Sequence, residues 1–437
     1  MSFAASRNSA ELQGRLLDAR ERRQQTIQQA LETARAAGFQ SLIVLGGNVP
    51  GASKRPPGLA LLMDRTWSAL AGKLVHGPVL RFSDILGPCG MAVSALPPRE
   101  AKAMAMTFET AHPSHRLLDL DVYALDGHQL DRRAMEAKPR LCLCCDQPAG
   151  ECIRLQRHSA LELQAALAKL LGDPLPSTLS LEKLPHALVE GARQELHLTP
   201  KPGLVDGRNN GSHPDLSMES MERSIALLLR YYEELQGCQG DLTQAMTYGQ
   251  QAEGRMFDAI GANAHKGYLF LSGLLLLAAL PTGGALPATR ETLARLARAC
   301  FQRSARRPQG EGIRREAEAG LPTLFEIAWP GYRAVREEQW PKTEARHYLM
   351  ALLMQHVEDT TTLKRGGDAG LARLRADGLE LQLLLESRQN YLGWLQDLDD
   401  DYRARNLTMG GVADCLALTL ALEQAVHREQ ETTGWTG

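Results

Sequence analysis

Hydrophobic residues change their spacing partway along the chain, and the change predicts two regions of different architecture. Before residue 172, short apolar runs alternate with stretches of helical periodicity. Beyond it, nearly every apolar stretch follows a 3.6-residue period. Two prolines in residues 172–177 separate the two patterns. We therefore predict a domain over residues 1–172, a linker over 173–178 and a second domain over 179–437.

The first region predicts an α+β domain in which a charged helix precedes the element order β-α-β-β-α-β. The predicted elements are a helix over 11–37, a strand over 41–47, a helix over 59–74, strands over 79–85 and 91–96, a helix over 99–111 and a strand over 117–125. We interpret Gly-Pro-Cys-Gly, residues 87–90, as a turn. This order is typical of a split βαβ, or ferredoxin-like, layer.

The second region predicts an all-α helical bundle. Helical periodicity covers residues 219–235, 242–262, 268–279, 289–300, 343–363, 371–390 and 412–428. The most apolar run, 269–280, is too short to span a bilayer and predicts a buried helix. The candidate chemistry lies between these helices or at their ends, where functional loops are expected.

Composition narrows the functional class. A chain of 437 residues with a formal net charge of −2 favours neither a nucleic-acid nor a membrane-surface partner. Eight cysteines, four of them crowded between residues 142 and 152, indicate reduced thiols or metal binding rather than a disulfide scaffold. Since the first residues also lack the apolar core of a secretory signal, we expect a cytoplasmic protein.

The most informative stretch is residues 199–216, Thr-Pro-Lys-Pro-Gly-Leu-Val-Asp-Gly-Arg-Asn-Asn-Gly-Ser-His-Pro-Asp-Leu. Prolines restrict its backbone conformation and glycines widen it, and its apolar residues follow no helical or strand periodicity. It is either a loop that binds a phosphorylated ligand and metal or an ordinary surface loop.

Four further polar clusters punctuate the helices, over residues 261–267, 310–318, 356–367 and 406–414. Together they supply cations and glycines for phosphates and hard oxygen ligands for Mg²⁺. Taken singly, they could be a solvated helix cap, a salt-bridge network or plain turns. We predict that Glu358, Asp359 and Asp414 bind Mg²⁺, and that Lys201, Lys266 and Arg365 converge on one phosphate pocket.

Residues 177–427 resemble the triphosphoribosyl-dephospho-CoA synthase family of the citrate lyase and malonate decarboxylase systems. The resemblance rests on five motifs: Thr-Pro-Lys-Pro-Gly-Leu-Val-Asp206, Asn209-Asn-Gly-Ser-His213, Asn263-Ala-His-Lys-Gly267, Glu358-Asp-Thr360 with Arg365-Gly-Gly367, and Gly410-Gly-Val-Ala-Asp414. It implies that ATP and 3'-dephospho-CoA are the substrates and that adenine is released.

The reaction so implied passes through an oxocarbenium-like state. It needs a carboxylate near the reacting carbon and cations for the triphosphate. The implied catalytic residues are Asp206, His213, Glu358 and Asp359. The implied substrate-binding residues are Lys201, Asn209, Asn210, Asn263, His265, Lys266, Arg315, Arg365, Gly366, Gly367, Gly410 and Gly411.

The chain departs from this family's usual pattern at three places. Thr361 stands where the family has Asn, Thr408-Met-Gly-Gly-Val412 where it has Ser-Pro-Gly-Gly-Ser, and Gly310-Glu-Gly312 where it has His-Gly-Glu. The substitutions at Thr361 and Thr408-Met409 favour an alternative function, a nucleotide- or CoA-binding regulatory protein in which one or both sites have decayed.

In the first region, Asp119 and Asp121 alternate on a predicted strand and therefore face the same side. Paired strand carboxylates are a common Mg²⁺ platform for nucleotidyl transfer. A solvated sheet face is the alternative. Arg116, just before them, is a candidate phosphate contact.

Residues 15–170 resemble the apo-citrate lyase phosphoribosyl-dephospho-CoA transferase family. The matching motifs are Asn48-Val-Pro-Gly51 with Lys54, the stretch from His112 through Arg116 to Asp121, and Arg140 through Cys152 to Ser159. The resemblance implies transfer of phosphoribosyl-dephospho-CoA to a serine of the apo acyl carrier subunit of citrate lyase, with release of pyrophosphate. Asn48, Lys54 and Arg116 are the implied substrate contacts.

The cysteines have the spacing Cys142-x2-Cys145-x6-Cys152-x5-His158. These are the ligand types of a Cys₃His structural zinc site, and the first pair has a usual loop spacing. Reduced, partly buried thiols are the alternative. Taken together, the two resemblances predict a bifunctional synthase in which one domain makes what the other domain transfers.

Overall fold

The computed structural model describes residues 2–51, 53–171, 175–238, 240–262, 264–303 and 312–426. The chain divides into two compact units, residues 1–172 and 173–437. Residues 173 and 174 of the predicted linker lie outside the described residues, as does residue 172 before them. Thr178, the last residue of the linker, pairs with Ala285 as part of the second unit.

The first unit combines five short strands with helices. Its elements are α1 (Ser2–Ala36), β1 (Ser41–Gly47), α2 (Leu59–Leu70), β2 (Leu80–Asp84), β3 (Gly87–Ser94), α3 (Pro98–Thr110), a 3₁₀ turn (Pro113–Leu117), β4 (Leu118–Ala124), β5 (Gln129–Leu130), α4 (Ala149–Arg154) and α5 (Ala160–Leu171).

The strands form one sheet in the order β2-β3-β1-β4-β5, and every neighbouring pair is antiparallel. Strand β1 therefore lies between β3 and β4, which is the split βαβ arrangement expected from the element order. The α+β prediction for this unit is confirmed.

Both faces of the sheet are covered because the central strand is apolar at consecutive positions. Ile43 and Leu45 of β1 pack with α2 and α3, whereas Leu42 and Val44 pack on the opposite face with Leu31 of α1. Alternation of side chains across a strand produces this division.

The prediction of a turn at residues 87–90 was wrong. Gly87 to Gly90 belong to β3, and the turn is the two-residue step at Ile85 and Leu86. Gly90 is needed inside the strand because a Cβ there would overlap the ring of Trp67. The glycine thus marks close packing and not chain reversal.

The second unit is helical throughout its longer elements, which confirms the all-α prediction. Its helices are α6 (Leu184–Leu196), α7 (Met218–Ile225), α8 (Leu228–Gly237), α9 (Leu242–Ile260), α10 (Lys266–Ala279), α11 (Leu286–Arg303), α12 (Gly312–Glu318), a π-helical turn (Thr323–Ala328), α13 (Trp329–Glu337), α14 (Lys342–His356), α15 (Thr360–Glu386), α16 (Tyr391–Ala404) and α17 (Gly410–Ala425).

At two places the helix boundaries differ from those that the hydrophobic periodicity predicts. The single helix predicted over 343–363 is broken at residues 357–359, and α15 then runs through the predicted gap before 371. The helix predicted over 219–235 is two helices, α7 and α8. Apolar spacing continues across these breaks, so periodicity alone does not reveal them.

The core of the second unit is built around α10, α14 and α17, each buried on most sides. The predicted burial of the apolar run in α10 is confirmed. A search of the described residues finds no helix with the length and apolarity needed to cross a bilayer. Helix α6 packs tightly on α17, since a Cβ at Gly191 would meet the carbonyl oxygen of Ala417 and the Cβ of Ala421.

We expect Gly191→Ala to lower the free energy of unfolding by about 1–3 kcal/mol, because the added methyl group has no room between α6 and α17. The matched control is Gly254→Ala, an exposed position in α9 where a Cβ meets nothing within 4 Å. There the substitution should raise stability by about 0.5–1 kcal/mol. Urea denaturation of both variants measures the difference; equal effects would contradict the close packing.

Candidate functional sites

The polar stretch 199–216 forms an ordered loop whose backbone is held by Asp206. One carboxylate oxygen accepts the N–H of Lys201 (2.8 Å) and the other accepts those of Arg208 (2.7 Å) and Asn209 (3.3 Å). Asp206 itself is 3% exposed. In this structure the predicted catalytic carboxylate shapes the loop.

Asp399 of α16 anchors the same loop and was missed from the sequence. Its carboxylate accepts the N–H of Gly203 (2.9 Å) and the side-chain amide of Asn209 (2.7 Å). It sits in an acidic run, residues 397–401, which suggests a solvated helix surface. The signal that could have found it is its place on the apolar stripe of α16, beside the buried Leu395, Leu398 and Tyr402.

Lys201 is almost completely buried, at 1% exposure, and forms an ion pair with Glu195 of α6. Its ammonium group donates to the Glu195 Oε1 (2.5 Å) and to the Glu195 carbonyl (2.6 Å). Burial raises the pKa of Glu195, and Lys201 opposes that shift. The predicted phosphate anchor therefore already has a buried anionic partner.

Asp359 joins the beginnings of two helices. It is fully buried at the N-terminus of α15, where one oxygen accepts the N–H of Thr362 (2.7 Å) and the other that of Val412 in α17 (2.9 Å). Burial raises its pKa, and these backbone donors oppose the shift. A Cβ at Gly411 would press on this carboxylate, so the glycine lets the start of α17 approach Asp359 closely.

Asp414, one turn into α17, lies against the first turn of α10. A Cβ at Gly267 would overlap its carboxylate, and the backbone N–H of Tyr268 donates to it. Burial raises the pKa of Asp414 well above its usual value, and the charges of Asp359 and Glu195 raise it further. The motif around 263–267 and the motif around 410–414 therefore meet at one helix N-terminus.

His265 precedes α10 in the left-handed backbone conformation (φ 53°). Its Nδ1 is hydrogen-bonded to the Ser224 hydroxyl at 2.6 Å, while its Nε2 is buried without a partner. Burial, and then the charge of Lys201, lower the pKa of His265 to about 4. We call Glu195, Lys201, His265, Asp359 and Asp414 the buried polar centre; His265 and Asp414 are its half-buried members.

Arg365 and His213 hold the far end of the loop. Arg365 donates to the Ser212 carbonyl (2.8 Å) and the Asn406 side chain (3.0 Å), and His213 is hydrogen-bonded to the Thr408 hydroxyl (2.9 Å). Burial, and then Arg365, lower the pKa of His213, against the opposing charge of Asp215. An open cleft of about 540 Å³ beside them is lined by Asn209, Asn210, Gly211, Ser212, His213, Pro214, Arg403 and Asn406.

Glycines break α15 just after Arg365. Gly366 lies within the helix, and Gly367 has φ +62° and interrupts the helical geometry. A side chain at Gly367 would find open space but an unfavourable backbone conformation. The predicted Gly-Gly segment is thus a kink at the protein surface.

Three predicted cations have separate partners. Lys266 is 62% exposed and pairs with Glu253 (2.7 Å), Arg315 pairs with Glu358, and Arg365 binds the loop. The convergence of Lys201, Lys266 and Arg365 on one phosphate pocket stays a prediction. Asn263 lies outside the described residues.

In the first unit, Asp119 and Asp121 face the same side of β4 as Tyr123, opposite the neighbouring Leu118 and Leu120. Asp119 forms an ion pair with Arg140 at 2.5 Å. Burial, and then the charge of Asp119, raise the pKa of Asp121. A cation bound between the two carboxylates would offset the repulsion that Asp121 experiences from Asp119.

The other side chains predicted to contact substrate in this unit donate hydrogen bonds to backbone carbonyl groups. Asn48 donates through its side chain to the Arg116 carbonyl (3.2 Å), and Lys54 donates to the Val49 carbonyl (2.6 Å). Burial lowers the pKa of Lys54. Arg116 donates to the Cys142 carbonyl (3.1 Å).

The predicted Cys₃His set is gathered in space. The ligand atoms of Cys142, Cys145, Cys152 and His158 all lie within 4.8 Å of one another. The Cys145 sulfur is 3.6 Å from that of Cys152 and 3.4 Å from the His158 Nε2. These two distances are close to the edges of a tetrahedron around zinc, roughly 3.5–3.8 Å for the usual bond lengths. The cluster is compatible with zinc.

In the described part of the chain, no other group of three His, Cys, Asp or Glu residues brings its ligand atoms so close together. Glu358, Asp359 and Asp414 therefore do not form a preassembled cage. Mg²⁺ commonly takes only one or two carboxylates together with substrate phosphates. Their role as Mg²⁺ ligands stays a prediction.

Buried charges gathered at helix N-termini, beside a stiff glycine-rich loop, are typical of an enzyme that acts on an anionic substrate. Comparison with known proteins identifies the class. Residues 13–173 match the family model of apo-citrate lyase phosphoribosyl-dephospho-CoA transferase, and residues 181–307 and 287–433 match that of ATP:dephospho-CoA triphosphoribosyl transferase.

Similar curated proteins agree with both matches. Protein CitXG of Leuconostoc mesenteroides subsp. cremoris is 27% identical over 94% of this chain and 96% of its own length. Protein CitXG of Haemophilus influenzae is 29% identical over 74% of this chain and 76% of its own. The 2-(5''-triphosphoribosyl)-3'-dephosphocoenzyme-A synthase of Klebsiella pneumoniae is 32% identical over 58% of this chain and 98% of its own.

The chain is therefore a transferase with two joined parts. It belongs to the ATP:dephospho-CoA triphosphoribosyl transferase family and carries an apo-citrate lyase phosphoribosyl-dephospho-CoA transferase domain before it. The family resemblances drawn from the motifs are confirmed for both parts.

The buried His347 of α14 leads to a prediction of how the stability of the protein depends on pH. It is fully buried, with Nε2 3.2 Å from the Pro200 carbonyl and Nδ1 3.4 Å from the Tyr391 hydroxyl. Burial lowers its pKa to about 4, with Lys201 adding to the shift. Because the unfolded chain binds this proton near pH 6.5, the stabilisation held above that pH is lost as pH falls toward 4.

We expect His347→Gln to remove this loss. Between pH 7 and pH 5 the parent protein should lose about 2 kcal/mol more unfolding free energy than the variant. Urea denaturation at both pH values measures the difference, with the exposed His186→Gln as the control. A variant with the parent's pH response would show that His347 is not held neutral.

Proposed function

We propose that the chain is a bifunctional synthase of the citrate lyase prosthetic group. The second unit converts ATP and 3'-dephospho-CoA into 2'-(5''-triphosphoribosyl)-3'-dephospho-CoA and adenine. The first unit transfers phosphoribosyl-dephospho-CoA to a serine of the apo acyl carrier subunit and releases pyrophosphate. The family matches and the relatives that join both parts in one chain support this proposal.

The observation that carries the first reaction is the meeting of Asp414, Gly267 and His265 at the start of α10. A helix N-terminus favours negative charge, and His265 offers it no side-chain cap. An anionic substrate group near this end would interact favourably with the helix dipole that Asp414 now faces.

In this reaction the 2'-hydroxyl oxygen of dephospho-CoA bonds to the anomeric carbon of ATP's ribose while the bond to adenine breaks. Adenine leaves with the bonding electron pair and takes up a proton, and the hydroxyl gives up its own. Burial raises the pKa of Asp414 and so favours its protonated form, which can give its proton to the departing base.

The other members of the buried polar centre would position Asp414. Asp359 fixes the start of α17, and Glu195 with Lys201 sets the electrostatic surroundings. Asp206, Asn209, Asn210 and His213 would shape the neighbouring loop cleft for substrate. The Mg²⁺ expected from the sequence would be held mainly by the triphosphate, since Asp359 and Glu358 already have protein partners.

The alternative, a regulatory protein with decayed sites, was motivated by Thr361 and Thr408-Met409. Thr408 supplies a hydroxyl where the family has serine, and that hydroxyl bonds His213. Since this contact retains the chemistry of the usual residue, it favours the enzyme. A cytoplasmic location is supported by the free state of all eight cysteines.

We expect Asp414→Asn to lower the rate of adenine release from ATP and dephospho-CoA about 10²–10⁴-fold, because the amide has no proton to give. Chromatographic measurement of free adenine tests this expectation. Asp397→Asn, an exposed aspartate on α16, is the matched control and should keep the parent rate. Unchanged release by a folded Asp414→Asn protein would remove Asp414 from the reaction.

We further propose that Cys142, Cys145, Cys152 and His158 hold a structural zinc ion in the first unit. Three thiolates and one imidazole form a closed, four-ligand set of the structural kind. A zinc ion would join residues 142–145 to Cys152 in α4 and to His158.

The purified chain should contain one zinc ion, measured by inductively coupled plasma mass spectrometry. Cys145→Ser should reduce zinc to a small fraction of that value, because Cys145 lies between Cys152 and His158. Cys300→Ser, in α11 of the other unit, should retain full zinc. Zinc-free parent protein, prepared without chelator, would reject the site.

A further inference from the structure

The first unit contains a cleft of about 530 Å³ beside the 3₁₀ turn that precedes β4. The end of α3, the start of β4 and residues 132–141 complete its walls. Its volume is within the range of sites for small ligands. Four cations line it, Arg116, Arg132, Lys138 and Arg140, against one carboxylate, Glu109. We call it the basic cleft.

Two of these arginines are fixed in place by the buried Glu109. The Arg140 guanidinium donates to the Glu109 Oε1 at 2.7 Å, and Arg132 pairs with the other oxygen. Glu109 is 5% exposed and is itself held by the N–H of Leu120 (2.8 Å). Guanidinium groups held in this way lose little freedom when they bind a ligand.

One donor of this pair lacks an acceptor. The Arg132 Nε is buried, and no hydrogen-bond partner exists for it in the described structure. A buried donor without an acceptor costs about 1–3 kcal/mol. The atom is closed to solvent, so an anionic ligand oxygen in the cleft would satisfy it once the Arg132 side chain turned towards the ligand.

The wall of the cleft that contains Arg116 is held by contacts with residues 142–146. Arg116 donates through one nitrogen to the Cys142 carbonyl (3.1 Å) and through the other to Asp146 (3.4 Å). On the same turn, His115 stacks on Phe108 with ring centres 4.3 Å apart. Cations converge here from two segments of the chain, the turn that holds Arg116 and residues 132–140. Planar guanidinium groups match phosphate oxygens in pairs.

We infer that the basic cleft binds the polyphosphate end of the first unit's substrate, the part that leaves as pyrophosphate. This inference rests on the transfer activity proposed above. In that step the serine oxygen bonds to the phosphorus nearest the ribose, and the anhydride bond to the next phosphate breaks. Pyrophosphate leaves with the electron pair, and the serine proton passes to solvent or a base.

Arg140 connects the cleft to the strand carboxylates, because the same guanidinium pairs with Glu109 and, at 2.5 Å, with Asp119. Charge accumulating on the leaving phosphates would lie among the cleft arginines, while Asp119 and Asp121 stand on the adjoining strand. Fixed cations at a developing negative charge stabilise a phosphoryl transfer state.

Arginine footprinting on the full chain tests the site. Phenylglyoxal modification, read by mass spectrometry, is compared with and without millimolar inorganic pyrophosphate, both with and without Mg²⁺. We expect protection of Arg116, Arg132 and Arg140. Arg65, exposed on α2, should be modified equally under all conditions. Unprotected cleft arginines would overturn the inference.

Variants of Arg132 provide the second measurement. Arg132→Gln should raise the Kd for pyrophosphate at the cleft roughly tenfold to hundredfold, the loss of one charged hydrogen-bonding group. Arg132→Lys should recover part of that loss, and Arg65→Gln should change nothing. Protection of the Arg140 peptide as a function of pyrophosphate concentration reports the cleft separately from any site in the second unit.

The outcomes separate the inference from the proposed transfer. Protection of the cleft in a chain that never modifies an apo carrier protein would keep the polyphosphate site and reject the transfer. Carrier modification without protection by pyrophosphate would keep the transfer and reject the polyphosphate site. Protection by the carrier protein but not by pyrophosphate would assign the cleft to protein docking and overturn the inference.

Discussion

Asp359 has no exposure to solvent, yet its carboxylate accepts backbone N–H groups from the starts of both α15 and α17. Burying a charged or polar group is costly unless such partners are present. The contact fixes where α15 begins and places the Gly410-Gly411 pair against it. It thereby sets the position of Asp414 against Gly267 and the first turn of α10. Three motifs that are far apart in the sequence depend on this one capping interaction.

A buried carboxylate has a comparable structural role in the first unit. Glu109 holds Arg132, Arg140 and the N–H of Leu120, so a helix, a strand and a loop share one acceptor. Removing one partner from such a group leaves a buried charge uncompensated, which is strongly destabilising. In both units, therefore, the residues proposed to meet substrate are positioned by an acidic side chain that is itself buried.

The sequence indicated candidate site residues but not the partners that they have in the structure. The motifs holding Lys201, Asp206, His265 and Asp414 were all recognised as polar groups without a place in an ordinary core. The structure pairs Lys201 with Glu195 and uses Asp206 to shape the loop. These roles depend on which partner lies opposite in space, and residue type does not specify that partner. Asp399 was missed because its acidic neighbours concealed its position on the apolar stripe.

The sequence by itself determined the two-part organisation, the α+β and all-α classes and the family of each part. Period-2 and period-3.6 patterns are local, and rare motifs identify a family without coordinates. Only the tertiary structure decided the helix break at residues 357–359, the strand position of Gly90 and the gathering of cations around Glu109. Each of these depends on a contact between segments distant in the chain, such as Asp359 with Val412. Local periodicity contains no information about contacts of that kind.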